Sequence, residues 1–218
     1  MIVFSQRPVI MVFKAGPHKS GLRERERSDM PDQGATPLAD LVARIARLEA
    51  ESQIRQLVAH YSFDIDDRRI EAVRGLFAED AVLRSHDGVM HAAGPDAIMA
   101  QFDGRFAVLG PGHHVMHDIQ IDFVDEANAT GRVAGHAELM RHGLMMVAAI
   151  RYDDRYRKTP SGWKFAERVI GFLYYVPVEA YPGILARPDR NHAYPEPKLA
   201  DYPERLPSWT AYEQGRKA

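Results

Sequence analysis

The sequence contains no cysteine. Disulfides, thiolate nucleophiles and cysteine-ligated zinc or iron–sulfur centres are therefore excluded, and the composition suits a reducing compartment, with the cytoplasm as the expected location. Charge of one sign is also scarce: 28 Lys and Arg against 30 Asp and Glu leave a formal net charge of −2. That is too little for the basic field that holds nucleic acid or an anionic membrane, and neither is expected as a partner. No run reaches the roughly 18 apolar residues of a membrane span. In the opening MIVFSQRPVIMVFKAG, Arg7, Pro8 and Lys14 interrupt the apolar pieces and no small-residue cleavage site follows, so no signal peptide is expected. The glycine patterns GxGxxG and GxxxxGK[ST] are missing as well, and no nucleotide or other cofactor is expected.

What is present suits one globular domain with extensions: 218 residues, 45% hydrophobic and 27% charged. Residues 1–35, with their run HKSGLRERERSDMPDQGA, bury little and are expected to be poorly ordered. Residues 36–178 carry the periodic patterns of the domain proper. Residues 179–218 change character again, because seven of the fourteen prolines fall between Pro177 and Pro207, interleaved with Tyr181, Tyr194, Tyr202, Trp209 and Tyr212. Proline cannot continue a sheet, and so many aromatics favour burial, so an ordered wrap over the domain or a neighbouring subunit is expected, anchored by the aromatics without helix or sheet.

Thr36-Pro37 is a helix start, with a hydroxyl at the cap and proline at the first position. Leu38, Leu41, Val42, Ile45 and Leu48, then Ile54, Leu57, Val58, Tyr61 and Ile65, fall on one helical face, as one long helix or two joined near residues 49–52. A short helix over 70–77, a hairpin of strands 81–85 and 89–92, and a helix over 96–108 opened by Gly94-Pro95 follow. Three longer strands are expected over 129–142, 144–157 and 163–176. Helices first and antiparallel strands afterwards is an α+β order, with three helices packed on a strongly bent, mostly antiparallel sheet.

The stretch over 108–123 organises the rest. Gly110-Pro111-Gly112 reads as a loop feeding a strand, with His113, His114 and His117 at its entrance. A histidine there is placed to accept a proton near neutral pH. Strict alternation puts His113, Val115, His117, Ile119, Ile121 and Phe123 on the apolar face and His114 on the other. A bulge near the histidines would reverse the facing, so His113 and His117 stand as alternatives to His114. Neighbouring histidines on one strand point to opposite sides and rarely meet one ion, so no metal site is expected.

The order Ile54-Arg55-Gln56-Leu57, Tyr61, Asp66-Asp67-Arg68-Arg69 and Leu76-Phe77-Ala78-Glu79-Asp80-Ala81 continues with His113-His114, Tyr152-Asp153-Asp154-Arg155-Tyr156 and Gly162-Trp163-Lys164-Phe165-Ala166-Glu167-Arg168. Over residues 41–178 it resembles the SnoaL-like branch of the nuclear transport factor 2-like superfamily, with scytalone dehydratase, bile acid 7α-dehydratase and hexachlorocyclohexane dehydrochlorinase similar in layout. The resemblance implies a cone-shaped α+β barrel. It also implies an aspartate at the end of the first helix, matched by Asp66, and a histidine on the first long strand, matched by His114. Tyr61 matches a helical tyrosine of the bile acid enzyme, and Arg168 an arginine near the end of the last strand.

On that resemblance Asp66 orients His114, His114 removes a proton, and Tyr61 and Arg168 stabilise the developing negative charge. The implied protein is a cofactor-independent lyase or isomerase, dehydratase- or dehydrohalogenase-like, acting on a small hydrophobic cyclic substrate and assembling as a homo-oligomer, dimer or trimer. Arg168, on an apolar strand, is expected to meet Glu138, Asp66 or a substrate oxygen, since an unpaired buried charge is costly. The same fold also serves as a noncatalytic small subunit of aromatic-ring-hydroxylating oxygenases and as ligand-binding or protein-interaction modules, and Asp66 and His114 would then be structural.

Overall fold

The computed structural model describes residues 37–216; the expectation for residues 1–35 lies outside them. Helix α1 (Leu38–Asp66) is continuous, and α2 (Ile70–Gly75) follows it closely. Strand β1 (Phe77–Ser85) and the short β2 (His91–Ala93) form the hairpin, and α3 (Pro95–Phe106) returns over the sheet. Gly94 caps α3 with φ 79°, a value that glycine adopts without strain, and Pro95 supplies the first turn. The long strands are β3 (Leu109–Phe123), β4 (Asn128–Arg141), β5 (Leu144–Thr159) and β6 (Gly162–Pro177).

The strand order is β2-β1-β6-β5-β4-β3, with every pairing antiparallel except β1 against β6. The sheet is curled but open, with β2 and β3 as edges, so the barrel that the sequence suggested is not closed. Strand β1 begins four residues earlier than its alternation indicated, because Phe77 pairs with Phe165 before a register shift.

The core lies between the helices and the inner face of the sheet, where Ile54, Tyr61, Phe102, Tyr152, Tyr156 and Phe165 are almost fully buried. Only the second half of α1 contributes. Leu38, Leu41, Val42, Ile45 and Leu48 are all exposed among the described residues, so the single apolar face read from the sequence is buried only from Ile54 onward. Periodicity reports which residues share a face and is silent on where the sheet ends.

The expected loop at Gly110-Pro111-Gly112 belongs to β3. Leu109 faces Arg141 and Gly112 faces Leu139, leaving one extra residue on β3, a bulge. A proline is tolerated there because β3 is an edge strand and the bulge asks for no ladder hydrogen bond from it. A second bulge lies between Met116, opposite Gly135, and Ile119, opposite Val133. It turns His114 and Met116 to the same inner face as Ile119, Ile121 and Phe123, all partly buried against the core or cavity, while His113, Val115 and His117 point outward. The conflict between alternation and resemblance is resolved by this inserted residue.

The C-terminal segment runs along the end and outer face of the sheet. Two short 3-10 turns (Val178–Ala180 and Ile184–Ala186) place Ile184 against Ala149, Tyr174 and Val176. The Tyr175 N–H donates to the Arg190 carbonyl (2.8 Å), and the His192 N–H donates to the Tyr175 carbonyl (2.8 Å). Asp201 grips Phe172 from both sides: its N–H donates to the Phe172 carbonyl (2.9 Å), and its carboxylate accepts the Phe172 N–H (2.8 Å). Arg190, buried, donates to the Leu173 carbonyl and to both oxygens of Glu204, each at 2.8 Å.

Two expectations for this segment need correction. It ends in a helix, α4 (Pro207–Gly215), because Pro207 is an allowed first helical residue. Tyr181, Trp209 and Tyr212 are exposed among the described residues, and of the aromatics only Tyr202 is buried. Polar contacts with the exposed backbone of β6 hold the chain where aromatic anchors were expected to. Truncation after Val178 should still lower stability, because burying Ile184 and Tyr202 is worth about 1.5–3 kcal/mol each. Urea denaturation of the truncated chain measures this, and an unchanged midpoint would show that the segment adds nothing.

Candidate active site

Helix α1 ends where the carboxylates cluster, and Arg69 takes two of them while Asp66 is left for His114. Asp64, buried, accepts from Arg69 Nε at 2.7 Å, and exposed Asp67 lies 3.3 Å from another nitrogen of Arg69. Arg68 terminates the helix in the left-handed region (φ 58°) and donates to the carbonyls of Leu109 and Gly110 at 3.1 and 2.9 Å. Its guanidinium also lies over the Phe106 ring, 3.8 Å from the centroid. These contacts tie the end of α1 to the first bulge of β3, and Asp66 is thereby brought to His114.

The Asp66 carboxylate accepts twice from one residue. Oδ1 lies 2.6 Å from His114 Nδ1, and Oδ2 accepts the His114 main-chain N–H at 2.7 Å. An ionised carboxylate can only accept, so Nδ1 carries a proton, and in the neutral imidazole the lone pair then belongs to Nε2. Nε2 has no hydrogen-bond partner among the described residues. Burial works to raise the Asp66 carboxyl, but the side-chain and main-chain hydrogen bonds from His114 outweigh it and hold the group below the usual carboxylate range. His113 is exposed, 3.9 Å from the same carboxylate, and His117 faces outward, its Nε2 2.7 Å from His136 Nδ1.

The sign of the Asp66 shift fixes a pH dependence. A folded-state value below the unfolded one stabilises the fold above the ordinary carboxylate range of about 4, and the contribution is lost as pH falls through the lower folded value. The stability difference between the natural protein and Asp66→Asn should therefore shrink from pH 6 toward pH 2. Urea midpoints across that range measure it, and a constant difference would contradict the assignment.

His114 lines a cavity of about 140 Å³ with Leu109, Leu139, Ile150, Ile170 and Phe172. The polar lining residues are Arg105 from the last turn of α3, Arg141 at the end of β4, Tyr175 on β6, and Tyr194 from the C-terminal segment. Tyr194 is held by its hydroxyl, which donates to Asp87 at 2.9 Å, and Asp87 also receives Lys198 at 2.9 Å. None of these four was singled out for the site from the sequence. Arg141 carried a usable signal, because it continues the inward series Val133, Gly135, Ala137 and Leu139. Tyr194 carried none, since nothing local says where that segment docks.

Tyr61 and Arg168 are brought together, but not to this cavity's lining. Arg168 is fully buried and donates to Asp154 through Nε and Nη2, both at 2.9 Å. Its guanidinium lies over the rings of Tyr61, Tyr152 and Phe165, 4.0–4.2 Å from each centroid. Nη1 has no hydrogen-bond partner among the described residues and is buried beside these rings. The expected partners Glu138 and Asp66 are replaced by Asp154, because Asp154 points inward directly opposite Arg168 while Glu138 faces out from β4. Along β5 and β6, Tyr152 and Arg168 stand two residues from the cavity-lining Ile150 and Ile170, so the two clusters share a sheet face.

A curled mixed sheet of this order, packed under three N-terminal helices, is the fold of the nuclear transport factor 2-like proteins. An NTF2-like protein with a cystatin-like fold from Novosphingobium aromaticivorans superposes with a TM-score of 0.54 at 29% identity, covering 64% of this chain and 92% of its own. A hexachlorocyclohexane dehydrochlorinase from Novosphingobium barchaimii LL02 shares the fold at 17% identity, with a TM-score of 0.57 over 62% of this chain and 94% of its own.

Within that class the SnoaL-like domain model matches residues 46–169, and the chain belongs to the SnoaL-like family. An uncharacterized protein of Mycobacterium tuberculosis is 27% identical over 132 residues, 57% of this chain and 86% of the relative. The fold is thus one that a lyase also uses. Among the described residues no helix is long and apolar enough to cross a membrane.

Proposed function

We propose that this protein is a cofactor-independent lyase or isomerase in which His114 removes a proton from a carbon of a small hydrophobic cyclic substrate. The observation that carries the reading is the 2.6 Å contact between Asp66 and His114 beside an apolar cavity. Asp66 fixes the tautomer and stabilises the imidazolium as it forms, so that Nε2 is the basic atom. In an elimination the C–H pair becomes the new C=C bond, the leaving group departs with its own bonding pair, and the proton stays on Nε2. In an isomerisation Nε2 returns a proton at another carbon, after exchange with solvent where the site admits water. Tyr61 and Arg168 belong to this proposal as positioning residues, since their cluster packs the end of α1 against β5 and β6 and so fixes Asp66 relative to the sheet.

The test is a screen of small alicyclic alcohols, halides and ketones in deuterated water, read by NMR for loss of a leaving group or uptake of deuterium at carbon. Conversion by the natural protein that is lost in His114→Ala supports the reading. Conversion that persists in the variant would reject His114 as the base, and no conversion of any compound by the natural protein would leave the cavity as a ligand-binding module. A cytoplasmic homo-oligomer, dimer or trimer, completes the proposal, and analytical ultracentrifugation measures the assembly.

A further inference from the structure

The cavity beside His114 contains a charge imbalance that proton abstraction alone does not require. Arg105 and Arg141 both line it, no carboxylate does, and neither arginine has an ion-pair partner among the described residues. Among the described residues the Arg105 side chain makes one hydrogen bond, from Nη2 to the Met90 sulfur at 2.8 Å, and a thioether is a weak acceptor. Arg141 donates from Nη1 to the His192 carbonyl at 3.1 Å and lies 5.7 Å from the Tyr175 ring centroid. Two carboxylates that reach lining residues are already engaged, Asp66 by His114 and Asp87 by Tyr194 and Lys198. Burial raises the Tyr175 hydroxyl, and Arg141 and Arg105 both act against that rise, so the two cations converge near one lining group.

Two half-buried guanidiniums on the lining of an apolar cavity, neither with a counter-ion among the described residues, favour a ligand that brings an anion. The volume, about 140 Å³, is of the order that admits one ring. We propose that the ligand of this cavity is a small cyclic carboxylate, its ring against Ile150, Ile170 and Phe172 and its carboxylate held by Arg105 and Arg141. This rests on the His114 cavity being the working site, and it narrows the substrate to an acid. The planar fork of arginine matches a carboxylate in a way that a lone lysine would not. The same two side chains are placed to stabilise negative charge if the proton taken by His114 lies on a carbon conjugated to that carboxylate.

Benzoate and its neutral isostere benzamide are the probes, with binding to the full chain measured by calorimetry. Benzoate should bind about tenfold or more tightly than benzamide, because a charge-assisted bond is roughly twice as strong as a neutral one. Arg105→Met should erase that ratio while benzamide affinity stays unchanged. Arg141→Met serves as the second variant should the first fail to fold. Equal affinities, a preference for benzamide, no binding of either probe, or a ratio unchanged in both variants would each overturn the proposal.

His114→Ala should keep the preference for benzoate. Intact preference with turnover unaffected by that variant would remove proton abstraction and leave the anion site. Lost preference in the natural protein, with turnover still dependent on His114, would do the reverse.

Discussion

His114→Ala should lower turnover by on the order of 10²–10⁴-fold while leaving the fold intact. The size follows from removing the only base placed at the cavity among the described residues, since Asp66 is engaged and no carboxylate lines it. The preserved fold follows from how Asp66 is held. One of its two hydrogen bonds comes from the His114 main-chain N–H, which alanine retains, so the carboxylate keeps a partner after the imidazole is gone. Asp66→Asn should also slow the reaction, because an amide nitrogen at Oδ1 would present a donor to Nδ1–H and release the tautomer. Circular dichroism and urea midpoints separate the catalytic loss from unfolding. Activity retained by both variants on one converted substrate would reject the base assignment.

How much of this was legible in the chain differs from element to element. The long helix, the hairpin and the three long strands followed from periodicity, because side chains on a helix or strand must share a face to be buried. Asp66 and His114 lie 48 positions apart in sequence, and only the order of motifs joined them. Alternation argued against His114 until a bulge was allowed, and a bulge leaves no unambiguous mark in composition. The partner of Arg168 was misplaced because register decides it: Asp154 faces Arg168 only once β5 and β6 are aligned past the irregularity between Tyr156 and Arg155.

Arg105 was hidden in a helix turn that otherwise reads as solvent-facing. The C-terminal segment was the least legible part. Its prolines correctly argued against a strand, but the contacts that fix it are those of Arg190, His192 and Asp201 with the backbone of β6. Such contacts depend on where the sheet leaves carbonyls and amides unpaired.

The second large effect expected is on stability. Asp154→Ala should cost about 3–5 kcal/mol, the range for removing one partner of a fully buried ion pair. Both side chains are fully buried, and Asp154 also accepts from the Tyr156 hydroxyl at 2.8 Å, so its loss strands a cation and a phenol together. Burial opposes the charge on Arg168, but Asp154 and the nearby tyrosine hydroxyls outweigh it and hold the group protonated, so it cannot escape by neutralising.

The aromatic faces above and below the guanidinium offset part of the cost, at about 2 kcal/mol for a desolvated cation on a ring. They do not replace two hydrogen bonds. The double variant Asp154→Leu with Arg168→Met should recover most of the loss, because well-packed apolar residues of similar volume often substitute for a buried pair without penalty. Activity in that double variant, once a substrate is found, separates the two roles open to the cluster. Restored stability with restored turnover makes Arg168 a packing element, whereas restored stability with turnover still depressed makes its charge part of how Asp66 and His114 are held. Chemical denaturation of the single and double variants gives the stabilities, and a cost below 1 kcal/mol for Asp154→Ala would contradict the account of this pair.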